Sequence, residues 1–281
     1  MDFTALDTFL AICETGSVTA AAQRLNCVQS AVTARLRRLE DSLGAALVER
    51  HARGVRPTEA GERLATYARR IGHLAEEARA AVRAADSPAR LHLGTMETTA
   101  AVRLPPVLAQ LRARHPGLRL SLATGPSDDL VREVLAGRLD AALIGGRIEH
   151  PELAVRALLS EELVEVSAAG ADAPRHTLLA FRRGCTYRAR AEAWLRQGGH
   201  APFEVMEFGS LDAIVGCAAI GLGIAVLPRV VAEARGEALA LATLPPEFAR
   251  LETCLVRRRD LPVPAAVTEL CAIMEGGRDG A

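Results

Sequence analysis

Lysine is absent from the 281 residues, so arginine supplies every strong cation. This reflects the nucleotide composition of the source genome and carries no functional weight. Cysteine pairing motifs are also missing. Cys13, Cys27, Cys185, Cys217, Cys254 and Cys271 are scattered with no C-x-x-C and no metal-ligand spacing. That excludes a zinc site and a secreted disulfide scaffold, and no metal or cofactor is expected. No apolar run is long enough to span a bilayer, because Ala213–Pro228 is short and broken by Gly216, Gly221 and Gly223. No basic n-region opens the chain, where Asp2 and Asp7 stand instead, so a signal peptide is excluded and a cytoplasmic location expected. A net charge of zero, taken alone, argues against a nucleic-acid partner. What is present points elsewhere: 49% hydrophobic residues suffice for sizeable cores, and the length suits one small domain plus a larger one of two lobes.

The most informative stretch runs from Ser17 to Glu40. Ser17 can cap a helix in which Ala20, Ala21 and Leu25 form a small apolar face. After a turn at Asn26-Cys27, Val32, Leu36 and Leu39 recur at helical spacing and leave Gln29, Ser30, Thr33 and Arg37 outward. A short polar face near a helix start is what base reading in a DNA major groove requires. The plainer alternative is a solvated helical hairpin, and spacing alone does not decide between them. The charge distribution does more. Residues 24–56 hold Arg24, Arg35, Arg37, Arg38, Arg50, Arg53 and Arg56 against Glu40, Asp41 and Glu49. Counterion release depends on such a local excess and not on the whole protein. Leu47–Thr58 reads as a two-stranded ribbon with Ala52-Arg53-Gly54 at its tip, the wing of a winged helix-turn-helix. Its Arg50, Arg53 and Arg56 would lie along phosphates or a minor groove.

From Phe9 through Ala20-Ala21-Ala22, Gln29–Thr33, Leu39-Glu40, Leu43-Gly44 and Arg50 to Thr58-Glu59-Ala60-Gly61, the order and spacing resemble the N-terminal domain of LysR-type transcriptional regulators. Two positions depart from the family pattern. Val28 replaces a usual serine, removing an N-cap of about 1 kcal/mol, and the turn carries the uncommon Cys27.

From Thr58 to about Asp86 there is no interior proline. Ala60, Leu64, Tyr67, Ile71, Leu74, Ala78, Val82 and Ala85 alternate in three- and four-residue steps, the seam of a coiled coil. The alternative is a helix lying on its own domain. A helix this long needs a partner for its stripe, and the resemblance implies a linker helix that pairs two winged domains on a two-fold DNA site. Pro88 ends it.

Beyond residue 88 strand and helix patterns alternate, which predicts an α/β domain with a largely parallel sheet. Strands are expected at Leu91–Thr95, Leu118–Ala123, Leu139–Gly145, Glu162–Ser167, Thr177–Phe181, Phe203–Phe208, Gly223–Leu227 and Thr253–Arg258. Helices are expected at Val102–His115, Asp128–Ala136, Thr186–Gln197, Ser210–Ile220, Pro228–Ala234 and Ala265–Met274. Leu104-Pro105, His115-Pro116, Gly137–Ala142 and Gly221–Pro228 resemble landmarks of the LysR effector domain, which implies the two-lobed fold of periplasmic substrate-binding proteins. The expected division is a winged helix-turn-helix at 1–58, an all-α unit completed by a linker helix at 59–87, and an effector domain at 88–281. Within the last, lobe I spans about 88–161 and 255–281, and lobe II about 162–254.

Where strands run into helix starts, hydroxyls and free N–H groups suit a small anion such as a carboxylate. Thr95, Glu97, Thr98, Thr99, Thr124, Gly125 and Ser127 stand at such points in lobe I, and Cys185, Thr186, Tyr187, Phe208, Gly209 and Ser210 in lobe II. Each alone is more simply a cap; their convergence carries the reading. Glu97 is awkward for an anion and suggests a cationic or amphoteric effector. Cys185, at a helix start among Arg182, Arg183, Arg188 and Arg190, has the setting of a lowered thiol pKa and hence of a redox switch. No neighbouring cysteine could resolve it, and small-residue packing explains it equally well. The other cysteines in apolar runs, Cys13, Cys217, Cys254 and Cys271, are expected in cores.

Three functions compete. A regulator, dimeric or tetrameric, would bind double-stranded DNA under control of a small-molecule effector, with RNA polymerase a further candidate partner. An enzyme would use Cys185 as nucleophile with His176 or His200 as base, leaving the first sixty residues unexplained. An architectural DNA binder would ignore ligands and sequence. The first, a non-enzymatic regulator, accounts for the whole chain.

Overall fold

Asp2 starts the first helix, α1 (Phe3–Thr15): its carboxylate accepts from Ala5 N at 2.7 Å, and Gly16 stops the helix in the left-handed region. Ser17 caps α2 (Val18–Arg24) as its position implies, accepting from Ala20 N at 3.3 Å. Asn26, at φ 50°, turns the chain into α3 (Gln29–Leu43), whose start at Val28 has no side-chain cap. Phe9, Ile12, Val32, Leu36, Leu39 and Leu47 bury one another, and Ala21 and Ala22 let α2 approach closely. The computed structural model describes residues 2–51, 54–83, 90–170, 176–236 and 239–276, which fall in two units, Met1–Ser87 and Pro88–Ala281.

β1 (Val48–His51) and β2 (Gly54–Pro57) pair antiparallel as the wing. Val55 N donates to Gly16 O at 2.8 Å, fixing the wing to the corner between α1 and α2. Gly54 sits at φ +131°, and a Cβ there would stand 2.5 Å from Gly16 O, so only glycine permits this approach. Thr58 then opens α4 (Glu59–Arg83), its Oγ1 accepting from Gly61 N at 3.0 Å and donating to Ala46 O at 2.8 Å.

α4 divides the seam read from the sequence. Ala65 and Ala68 are buried in the core of their own unit, and Leu64 and Ile71 pack partly against it. Tyr67 and Leu74 remain 59% and 56% exposed. One helix thus carries two apolar stripes, one against α1 and one open. The side chains of Ala78 and Val82, and all of Ala85, lie outside the described residues.

In the second unit β3 (Arg90–Thr95) lies between β4 (Arg119–Thr124) and β5 (Ala141–Gly145), all parallel. α5 (Glu97–Val102) and α6 (Leu104–Arg114) follow β3, and α7 (Ser127–Leu135) follows β4. β6 (Leu153–Ala168) then runs sixteen residues through both lobes. Its first part pairs with β11 (Arg250–Arg258), and its second with β9 (Ala225–Pro228) and β10 (Leu239–Thr243), always antiparallel. β7 (Thr177–Phe181) and β8 (Glu204–Phe208) form a parallel pair, joined towards β9 by a bridge from Leu178 to Ile224. α8 (Thr186–Gln197), α9 (Leu211–Ala219), α10 (Arg229–Glu233) and α11 (Pro246–Ala249) complete lobe II. α12 (Ala265–Gly276) returns to lobe I, where Val267 and Leu270 join Leu104 and Leu111 of α6 over Leu91, Leu93 and Leu143. In lobe II Trp194 and Leu195 cover one face of the sheet, and Leu211 and Ile214 the other.

Four expectations are corrected. The sheet is mixed, because β6 and β11 serve both lobes and run against their neighbours; parallel pairing would need a crossover at each step. The strand expected at Glu162 begins at Leu153, and that expected at Thr253 begins at Arg250, whose Cα pairs with Glu162. The helix expected over Val102–His115 is α6, which starts at Leu104 because Val102 ends the separate α5, and Pro105 and Pro106 sit in its first turn, where a missing N–H costs nothing. Pro228 ends β9 and precedes α10. Cys254 and Cys271 are buried as expected, while Cys13 and Cys217 are half-buried at core margins.

Candidate DNA interface and effector cavity

On α3 the apolar side, Val32, Leu36 and Leu39, is fixed in the core, which determines what the opposite side presents. Gln29, Ser30 and Arg37 are exposed. Thr33 is half-buried, its Oγ1 donating to Gln29 O at 3.0 Å, so the hydroxyl retains acceptor capacity toward a base edge. Arg35, also half-buried, does not share this face: two residues from Arg37, it lies about 160° round the helix axis. Arg56 is exposed on β2 opposite Glu49, which pairs with His51 at 2.9 Å. Arg53 lies outside the described residues, as does the side chain of Arg50. Glu40 Oε1 accepts from Leu47 N at 2.8 Å, so an acid within the basic stretch ties α3 to the wing.

In the second unit a cavity of about 260 Å³ opens between the lobes. Nine of the expected residues line it: Glu97, Thr98, Thr124, Gly125, Ser127, Cys185, Tyr187, Phe208 and Gly209. Thr95, Thr99, Thr186 and Ser210 do not. Thr95 and Thr99 are buried, Thr95 Oγ1 donating to Met96 O at 3.2 Å, and Ser210 caps α9 through Ala213 N at 3.2 Å. Met96, Pro126, Phe181 and Arg182 line it as well and were not foreseen. Phe181 and Arg182 end a strand just as Thr95 ends β3, so the rule that selected the threonines also reaches them.

Hydrogen bonds cross from lobe to lobe around the cavity. Thr186 Oγ1 donates to Gly145 O at 2.9 Å and lies 3.2 Å from Ser127 Oγ, which accepts from Gly145 N at 3.1 Å. A carbonyl can only accept, so the single Thr186 proton goes there and Ser127 supplies the proton between the hydroxyls. Ser127 is therefore a latch, with no donor left for an anion. Arg182 reaches across to Asp129 at 2.8 Å, and Glu97 Oε1 accepts from Leu211 N at 2.9 Å, occupying the start of α9.

Cys185 departs from the sequence reading. It is buried, and desolvation raises its thiol pKa above the ordinary value, against the lowering by backbone N–H groups of Arg188 and Tyr187 and the Arg188 charge. The nearby arginines serve other partners: Arg188 pairs with Glu192 and Glu207 at 2.8 and 2.7 Å, and Arg190 donates to Glu247 O at 3.0 Å. Burial therefore works against the thiolate that a redox switch uses. Among the described residues no helix is long and apolar enough to cross a membrane.

A winged helix-turn-helix followed by a long helix and a two-lobed α/β module with a cleft is the architecture of a ligand-responsive DNA-binding regulator. Residues 3–62 match the bacterial regulatory helix-turn-helix protein, lysR family, and residues 84–277 match the LysR substrate binding domain. The chain belongs to the LysR family of DNA-binding transcriptional regulators. It is 39% identical over 278 residues to the HTH-type transcriptional regulator GltR of Bacillus subtilis (95% of this chain, 94% of the relative). It is 35% identical over 268 residues to the HTH-type transcriptional regulator SoxR of an Arthrobacter species (92% of each). The fold is that of a full-length OxyR variant from Pseudomonas aeruginosa, with TM-score 0.77 and 21% identity, over 98% of this chain and 94% of that one. Full-length CbnR in complex with its target DNA matches with TM-score 0.66 and 24% identity, over 98% and 99%.

Proposed function

We propose that two copies of this chain, paired through α4, read a two-fold promoter site, and that a small molecule in the inter-lobe cavity adjusts the binding. Residues 1–58 form the DNA-binding domain, 59–87 the pairing helix and 88–281 the effector domain. Gln29, Ser30 and Thr33 contact base edges, and Arg37, Arg50, Arg53 and Arg56 the phosphates, while Arg35 lies off that face. Tyr67 and Leu74 supply the open part of the seam, which Ala78 and Val82 continue in sequence, while Leu64 and Ile71 flank it against their own core, and the assembly is a dimer or a tetramer. The protein acts in the cytoplasm, where RNA polymerase is the onward partner at the promoter.

The observation that carries this reading is the cavity whose two walls belong to different lobes and are tied by Ser127–Thr186, Thr98–Tyr187 and Glu97–Leu211 contacts. A ligand that binds one lobe arrangement better shifts the population, and hence the relation of the elements that pair the copies. Footprinting on DNA upstream of the chain's own gene at two salt concentrations tests it. A protected two-fold site, with affinity falling steeply as salt rises, is expected. Protection no better than on random DNA would end the base-reading proposal.

A further inference from the structure

Within this cavity a carboxylate stands with no cation set against it. Glu97 is half-buried, with Oε1 accepting from Leu211 N, and among the described residues no arginine or histidine pairs with it. The cavity's own arginine, Arg182, is held by Asp129. A second group is unmatched beside it. Tyr187 is 3% exposed, and its hydroxyl lies 3.1 Å from that of Thr98, itself 2% exposed. Two hydroxyls bring two protons and their one contact uses one, so a proton of this pair has no acceptor among the described residues. Burial also raises the Tyr187 pKa, so the group stays protonated and remains a donor. Buried donors are nearly always paired, which directs this proton to an acceptor entering the cavity. Because Thr98 follows Glu97 on α5, the free anion and the free donor share one end of the cavity, and Met96, Pro126, Phe181 and Phe208 make much of the rest apolar. About 260 Å³ is small beside the roughly 300–1,000 Å³ of drug-sized sites.

We infer that the ligand is a small amphoteric molecule of amino-acid type, its protonated amine on Glu97 and its carboxylate oxygen on the Tyr187 hydroxyl, with an apolar tail against the aromatic wall. This rests on the reading of the cavity as the effector site. It replaces the purely anionic ligand that helix starts alone suggest: Ser127 and the start of α9 are already engaged, whereas among the described residues no cation stands against Glu97 and its Oε2 accepts from none.

Calorimetry of the full chain with a matched set of probes tests it: leucine, 3-methylbutylamine and 4-methylpentanoate, which carry both groups, the amine alone and the acid alone. Leucine is expected to bind tightest. Glu97→Gln keeps an acceptor for Leu211 N but removes the charge, and should weaken leucine and the amine about tenfold or more while leaving the acid unchanged. Tyr187→Phe should weaken leucine and the acid and spare the amine, the opposite pattern, which a general loss of structure could not produce. The acid binding as tightly as leucine, amine affinity unmoved by Glu97→Gln, or no binding of leucine would each overturn the inference. Any of these with the DNA footprint intact leaves the regulator standing; loss of the footprint removes the regulator whatever the cavity binds.

Discussion

At Cys185 burial outweighs a crowd of arginines, because each nearby guanidinium whose partner is known, on Arg182, Arg188 and Arg190, is turned to an acceptor elsewhere. With its pKa raised, the thiolate fraction at any pH below that value is smaller than for a free cysteine. Iodoacetamide should therefore modify Cys185 far more slowly in the folded chain than in the denatured one, with the rate still climbing above the ordinary thiol range; equal rates would contradict the burial argument. The sign for stability follows. A raised folded pKa favours the folded state below the unfolded thiol value, and this contribution is lost as pH climbs through the folded value. Arg103 and Glu161 are a different residue-scale case. Glu161 is 5% exposed and accepts from Arg103 Nε and Nη2 at 3.2 and 3.1 Å. Arg103→Ala strands a buried carboxylate and should cost about 1–3 kcal/mol, since the arginine itself is partly solvated. Adding Glu161→Gln should recover part of that loss in denaturant melts; no recovery would show that the pair does not act as a pair.

α4 separates two tasks by face, and substitutions should separate them too. Ala68 is 1% exposed against the core, so Ala68→Asp should lower the stability of the first unit by about 3 kcal/mol or more. Leu74 is exposed, so Leu74→Asp should leave the melt nearly unchanged and yield monomers in sedimentation. A dimer that persists would remove α4 from the pairing. The sequence showed this helix and its open stripe, since both depend on local periodicity. It did not show the second stripe, because alanine is a weak signal until a facing helix is known. The same limit explains the elements of the second unit. α8 and β7 match their expected spans, the first closed by Gly198 and the second an apolar run. α5 is six residues with adjacent β-branched threonines, too short for a periodic pattern, and β10 is an alternating edge segment that reads as loop. Nine cavity residues were legible as strand ends and helix starts, whereas the occupation of Glu97 was not. Its partner lies 114 positions away in sequence.

For the whole molecule the expected signature is a specific affinity that two kinds of substitution degrade differently. Gln29→Ala should relax base preference at one position of each half-site by about 1–3 kcal/mol. Arg37→Ala should weaken binding on all sequences and reduce the salt slope by about one per site. A uniform loss from the first, or an unchanged slope from the second, would exchange their roles. β6 and β11 have a larger consequence. Glu162 and Arg250 face each other across an antiparallel ladder, so the chain leaves lobe I and re-enters it at adjacent points. Topologically lobe II lies between the two strands of a β-hairpin, and a two-residue turn joining those strands would close lobe I over it. Glu97, Thr98 and Ser127 precede that crossing and Cys185, Tyr187 and Phe208 follow it, so exchanging lobe II between relatives at two neighbouring sites would replace one wall of the cavity and keep the other, while the DNA-reading unit keeps its address.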